Sequence, residues 1–231
     1  MDFSNNALTA FTVGDVTCLG RLYLTNCGSM TYLKCSGVSL NVLDVRGCWA
    51  LNQLNCENNL LNELDLRDCT AIAYLYCGQN SLQTLDLSRL TQLLYLDCHL
   101  NVLHGLDVSA CTRLRTLDAG YNGNMTELIC CAPNLCFLSV EECYSLPELR
   151  CSGNSLTSLS GIENCTQLKY LYAWDNGFTS MNLTANTALE YLSLANCTQL
   201  ENVNCSGLSL KTLWVNSCGW LWTLDCHDNY N

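Results

Sequence analysis

An apolar anchor recurs every 10 or 11 residues along the whole of this 231-residue chain. The anchors run Phe11, Leu22, Leu33, Leu43, Leu54, Leu64, Leu75, Leu85, Leu96, Leu106 and Leu117. They continue through Leu128, Leu138, Leu149, Leu159, Leu171, Met181, Leu192, Val203, Leu213 and Leu224. The two intervals alternate over most of the chain and give a 21-residue period. A unit that short cannot bury its own leucines. Stacked on copies of itself it can, so the period predicts a quasi-one-dimensional array rather than a globule.

Two kinds of half-repeat alternate. One reads L-x-x-L-x-C-x-x-N-x-L, as in residues 51–61 and 146–156; the other reads L-x-x-L-D-L-x-x-C-T-x-L, as in residues 103–114. Around each anchor, apolar and polar residues alternate with the period of a strand that has one buried face. Asn, Gly, Ser and Cys-Thr follow and supply turns. Nowhere does an apolar stripe persist at 3.6-residue spacing, so almost no α-helix is expected. Each strand should pair in parallel with its counterpart one coil on, at about 4.8 Å per coil, giving a rod roughly 50 Å long.

These motifs resemble the cysteine-ladder leucine-rich repeats of bacterial internalins and related surface proteins, over essentially residues 1–231. The resemblance implies a mainly β, right-handed leucine-rich-repeat solenoid of about ten 21-residue coils. It further implies a non-enzymatic module, at the cell surface or extracellular, that binds a protein or a carbohydrate. In one respect the chain departs from the family pattern. Cys27, Cys48, Cys69, Cys111, Cys143, Cys165, Cys197 and Cys218 stand where the family more often has Asn. A thiol is a weak donor, so those turns should be held less firmly.

The alternation slips twice. The half-repeats at Leu117 and Leu128 are both of the first kind, and those at Met181 and Leu192 are both of the second. Either Cys130 and Cys151 lie on the opposite side of the rod from Cys35, Cys56, Cys77 and Cys98, with Cys205 and Cys226 back on the first, or a half-coil loops out near residues 120–124. Because the anchor spacing never breaks there, the swap of sides is favoured.

Composition limits the partners. The net charge is −11, with 10 Lys and Arg and no basic run. Neutralising phosphates needs clustered cations, so nucleic acid and anionic membrane surfaces are poor partners. No apolar run approaches the roughly 18 residues of a spanning helix, so membrane insertion is not expected. The first residues, Met1 to Asn6, have neither the basic nor the apolar segment of a signal peptide. Both ends fall within half-repeats, without polar caps. A single solenoid of residues 1–231 cut from a longer chain is therefore expected, with end-to-end self-association between open ends.

Several residue patterns hint at chemistry. The 19 cysteines are read as small buried hydrophobes in stacked columns, since ladder cysteines a coil apart cannot surround one ion or pair easily as disulfides. Cys130, Cys131 and Cys136 form the one local group outside that logic. The pairs Cys98-His99 and Cys226-His227 look like fragments of catalytic dyads, yet each is a ladder cysteine followed by a turn residue. With no nucleophile elbow, HExxH or P-loop, neither catalytic residues nor a cofactor or metal is expected. Asp44, Asp65, Asp86 and Asp107 should form a carboxylate column, open to two readings: a cation strip, or side chains bonded to local amides. The N-x-S/T triplets at Asn124, Asn164, Asn182, Asn196 and Asn204 follow from turn composition. Outward-facing aromatics are the features most suggestive of binding. Tyr32, Tyr74, Tyr76 and Tyr95, with Asp97 beside them and Phe137 beyond, should share one face. Tyr170, Tyr172, Tyr191 and Trp214 should share the other. They are candidate ligand-binding patches; the alternatives are cross-strand stacking and a stalk with no ligand of its own.

Overall fold

A computed structural model describes residues 1–14, 16 and 18–229. Every half-repeat but the last, whose Leu224 is exposed, packs its anchor into the core, and most form a three-residue strand, as in Tyr74–Tyr76 and Tyr170–Tyr172. Apart from a single 3-10 turn at Ile162–Asn164, no helix occurs among the described residues. All the strand pairs are parallel, and partners lie one coil apart: Leu33 pairs with Leu54, Leu54 with Leu75 and Leu75 with Leu96. The chain is a leucine-rich-repeat β-solenoid with two strand-bearing faces and a core of leucine and cysteine between them. Leu54, Leu75 and Leu96 are fully buried in one column.

Alternation between the faces is never broken. A seven-stranded sheet on the first face runs from Ala10–Thr12 to Phe137–Ser139, and a three-stranded sheet from Ser180–Asn182 to Thr223–Asp225 continues it. The second face carries the pair Arg21–Tyr23 and Val42–Asp44, then six strands from Gly105–Asp107 to Thr212–Trp214. Leu117 joins Leu96 and Leu138 on the first face, while Leu128 joins Leu106 and Leu149 on the second. The phase slip is thus a change of sides, with no half-coil looped out. Cys130 and Cys151 stand on the second face, and Cys205 returns to the first.

Turns follow a common geometry. Four residues after most anchors the backbone enters the left-handed region, where Gly and Asn are at ease: Gly37, Asn58, Gly153 and Gly207 have φ of 70°, 52°, 67° and 68°. One residue later an inward side chain ties the coils together. Asn101 Nδ2 donates to the carbonyls of Cys98 and His99 in its own turn and of Cys77 in the preceding coil, while its Oδ1 accepts from the Leu82 amide. Cys48 and Cys69 in equivalent turns donate only to the preceding coil, at Leu24 and Val45. Cys48 and Cys69 therefore keep the inter-coil bond and give up the rest, whereas Cys165 and Cys218 add a long contact to a carbonyl of their own turn.

The ladders are open in two places. On the second face no strand forms at residues 63–65 or 84–86, between Val42–Asp44 and Gly105–Asp107. On the first face, residue 160 makes only an isolated bridge to Ser139, and pairing resumes at Ser180–Asn182.

Candidate functional site

The two aromatic clusters have the same construction. On the first face, Tyr74 pairs with Tyr95 across adjacent strands and Tyr76 pairs with Asp97. The rings of Tyr76 and Tyr95 meet on the diagonal, with centroids 4.9 Å apart. On the second face, Tyr170 pairs with Tyr191, and the Tyr172 and Tyr191 rings meet on the same diagonal at 4.9 Å. Trp214 lies one strand further, paired with Ser193, and the Arg150 guanidinium sits 5.7 Å from the Tyr172 ring centre. Tyr74, Tyr170, Trp214 and Phe137 are exposed, whereas Tyr76, Tyr95, Tyr172 and Tyr191 are half-buried by stacking. Each cluster therefore combines a ring pair fixed by its neighbours with a freer ring beside it.

Each cluster also lies opposite an open stretch of ladder. The strands of Tyr74–Tyr76 and Tyr95–Asp97 are paired throughout while residues 63–65 and 84–86 behind them are not. Tyr170–Tyr172 and Tyr191–Ser193 are paired opposite the gap that precedes Ser180. Backbone hydrogen bonding between coils is thus continuous beneath each tyrosine cluster while the ladder on the opposite side is interrupted.

Other expectations need adjustment. Tyr32 lies on the same face, but the Gln53 strand separates it from Tyr74. Asp97 is no outward carboxylate: it is 9% exposed and its Oδ1 takes the His99 Nδ1 at 2.5 Å. His99 turns to Asp97 rather than to Cys98, whose thiol faces the core and donates to the Asp118 carbonyl. His227 likewise pairs with Asp225. The Asp column resolves toward local bonding, since Asp44, Asp65, Asp86 and Asp107 each accept from the amide two residues on. Arg46 and Arg67 also pair with the first two, and hydrogen bonding from these guanidiniums holds both carboxyls below the usual range. Cys130 is buried while Cys131 and Cys136 are exposed, so these three do not converge.

Two features were missed in the sequence. Trp174 is exposed two residues beyond Tyr172, a further outward aromatic on the same coil. Its signal was position: it follows the inward Ala173 as His99 follows Cys98. Glu57 approaches Asp97 and His99 across an intervening coil, with one potential ligand atom from each of the three mutually within 4.8 Å. Both carboxylates act on the ring pair above them. Burial first, and then the fields of Glu57 and Asp97, push the Tyr76 and Tyr95 phenols up from their ordinary values.

No protein-family model matches the sequence and no curated protein does. Among solved structures, the functional domain of InlJ from Listeria monocytogenes, which includes a cysteine ladder, is 28% identical over 88% of this chain and 49% of its own length, with a TM-score of 0.40. The chain thus spans about half of that structure. The internalin InlF of the same organism is 18% identical over 97% and 88% of the two chains, at a TM-score of 0.42. YopM from Yersinia enterocolitica is 22% identical over 92% and 56%, at 0.45.

Proposed function

We propose that this solenoid is a non-enzymatic binding module, and that its aromatic faces recognise a protein or glycan partner. The observation that carries this reading is the matched construction of the two clusters: a stacked tyrosine pair with exposed rings beside it, built twice on opposite faces. Tyrosine suits such a role because it offers a broad apolar face and a hydroxyl while losing little rotamer freedom. A location on a bacterial surface or outside the cell follows from the resemblance of the repeat motifs; no helix among the described residues is long and apolar enough to cross a membrane. The half-burial of Tyr76 and Tyr95 favours a second reading, a stalk whose tyrosines only brace the sheet.

Mutation separates the two. Replacing Tyr74 with Ala together with Tyr170 and Trp214 removes exposed rings and should leave the melting temperature nearly unchanged. In pull-downs with the intact rod, capture of the partner should fall by about 30-fold, the scale of a hot-spot loss near 2 kcal/mol. Unchanged capture by the triple variant would favour the stalk.

A further inference from the structure

Along the first face, the position just after the inward cysteine is occupied by Glu57, Gly78 and His99 in three successive coils. Gly78 makes their convergence possible. A Cβ at that position would lie 2.5 Å from His99 Nδ1 and 3.1 Å from Asp97 Oδ1, so any larger residue would displace the imidazole. Through this notch, Glu57 from one coil reaches toward Asp97 and His99 two coils away. Asp118 follows Asp97 on the adjacent strand, adding a third carboxylate to the neighbourhood. Among the described residues no Lys or Arg forms an ion pair with Glu57 or Asp97. Two carboxylates are thus gathered at low exposure beside one imidazole, with no lysine or arginine ion-paired to either among the described residues. Such a grouping favours an added positive charge.

We propose that Glu57, Asp97 and His99 form a binding site for a divalent first-row transition ion at the foot of the Tyr76–Tyr95 pair. Oxygen and nitrogen ligands bind such ions at about 2.0–2.2 Å, which places donors about 3–4 Å apart. Side-chain rotations that open the 2.5 Å Asp97–His99 hydrogen bond and draw in the Glu57 carboxylate, now within 4.8 Å, would bring the three donors into that range. One imidazole with two carboxylates suits Mn²⁺, Co²⁺ or Zn²⁺ better than Ca²⁺, which prefers an all-oxygen shell. The thiols of this coil take no part, because Cys56, Cys77 and Cys98 face the core. Three protein ligands leave positions free, and His99 and Asp97 keep side-chain exposures of 21% and 12%. An oxygen from solvent or from a partner molecule can reach the ion there. The site does not depend on the tyrosines binding anything.

Titration of the chelator-treated full chain with MnCl₂, followed by the loss of the free-ion electron paramagnetic resonance signal, tests the site. One equivalent should bind at submillimolar concentration or tighter. Asp97→Asn and His99→Gln should each weaken it at least about 10-fold. Gly78→Ala keeps all three donors and should weaken it as well, because the added methyl occupies the place of the imidazole. Melting temperatures of the metal-free variants confirm that they fold. With CoCl₂, weak visible bands without an intense near-ultraviolet thiolate band should appear. Lack of binding at millimolar Mn²⁺, equal binding by all three variants, or a thiolate band from exposed cysteines would each overturn the proposal.

Discussion

Asn101 and Cys69 occupy equivalent turns and reach back to the preceding coil in the same way, yet they tie it with different strength. Asn101 satisfies three carbonyls and the Leu82 amide, whereas Cys69 makes one sulfur contact at 3.4 Å. Each buried polar group left unpaired costs about 1–3 kcal/mol. Asn101→Ala should therefore lower unfolding free energy by at least about 3 kcal/mol. Cys69→Ala should cost only about 1–2 kcal/mol, mostly lost packing. Urea unfolding of the two variants measures the difference, and equal losses would show that the asparagines do not hold the turns.

At the scale of the single coil, the left-handed turn position is filled by some residues that fit it poorly. Leu100 and Tyr121 sit there with φ of 50° and 58°, where Asn58 has 52°. For an ordinary side chain that conformation costs about 1–2 kcal/mol. Leu100 is exposed, so replacing it sacrifices little burial. Leu100→Asn should raise the unfolding free energy by about 0.5–1 kcal/mol, read as a higher urea midpoint at unchanged slope. The coil is also the scale at which the sequence was most legible. Anchors, strand positions and the change of sides could all be read from spacing, because period-two patterning and an unbroken 10/11 interval are local properties. The open ladder at residues 63–65 could not be foreseen, since Leu64-Asp65-Leu66 fits the pattern as well as any other half-repeat. Strand pairing there depends on the distance between coils, which packing through the core sets. The convergence of Glu57 with His99 was hidden for a related reason: it spans two coils and depends on the smallness of Gly78, which appears only when residues are aligned by column. Asp97 was placed correctly on its face, but its burial beside His99 depends on the neighbouring coil.

Across the whole molecule a leucine core carries many buried thiols, and these make stability depend on pH from the alkaline side. Fourteen cysteines are buried, and none of the 19 is in a disulfide. Burial pushes the thiols of Cys35, Cys69, Cys111 and Cys165 up to about 12 and those of Cys48, Cys143, Cys197 and Cys205 up to about 11. In the unfolded chain they titrate near 8.5. Their folded values are raised, so their contribution is complete below about pH 8.5 and is lost as pH climbs toward 11–12. Many such groups act together, so the melting temperature should fall steeply between about pH 9 and 11, as followed by circular dichroism. In native protein, an alkylating reagent at neutral pH should quickly modify the exposed Cys18, Cys131, Cys136 and Cys226 and leave the buried ladder untouched. A stability flat to pH 11 would contradict the burial of the ladder.

The unbroken alternation of faces makes valency a matter of counting. The strands of Tyr74–Tyr76 and Tyr170–Tyr172 both belong to half-repeats of the first kind, and they stand on opposite faces because an odd number of half-repeat steps separates them. Excising residues 117–127 would turn every later half-coil to the other side and bring the second cluster into line with the first. If the clusters bind as proposed, a rod that bridges two partners back to back would become one that grips a single partner twice. In such a chain, loss or duplication of one half-unit would convert a cross-linker into a clamp without altering a contact residue.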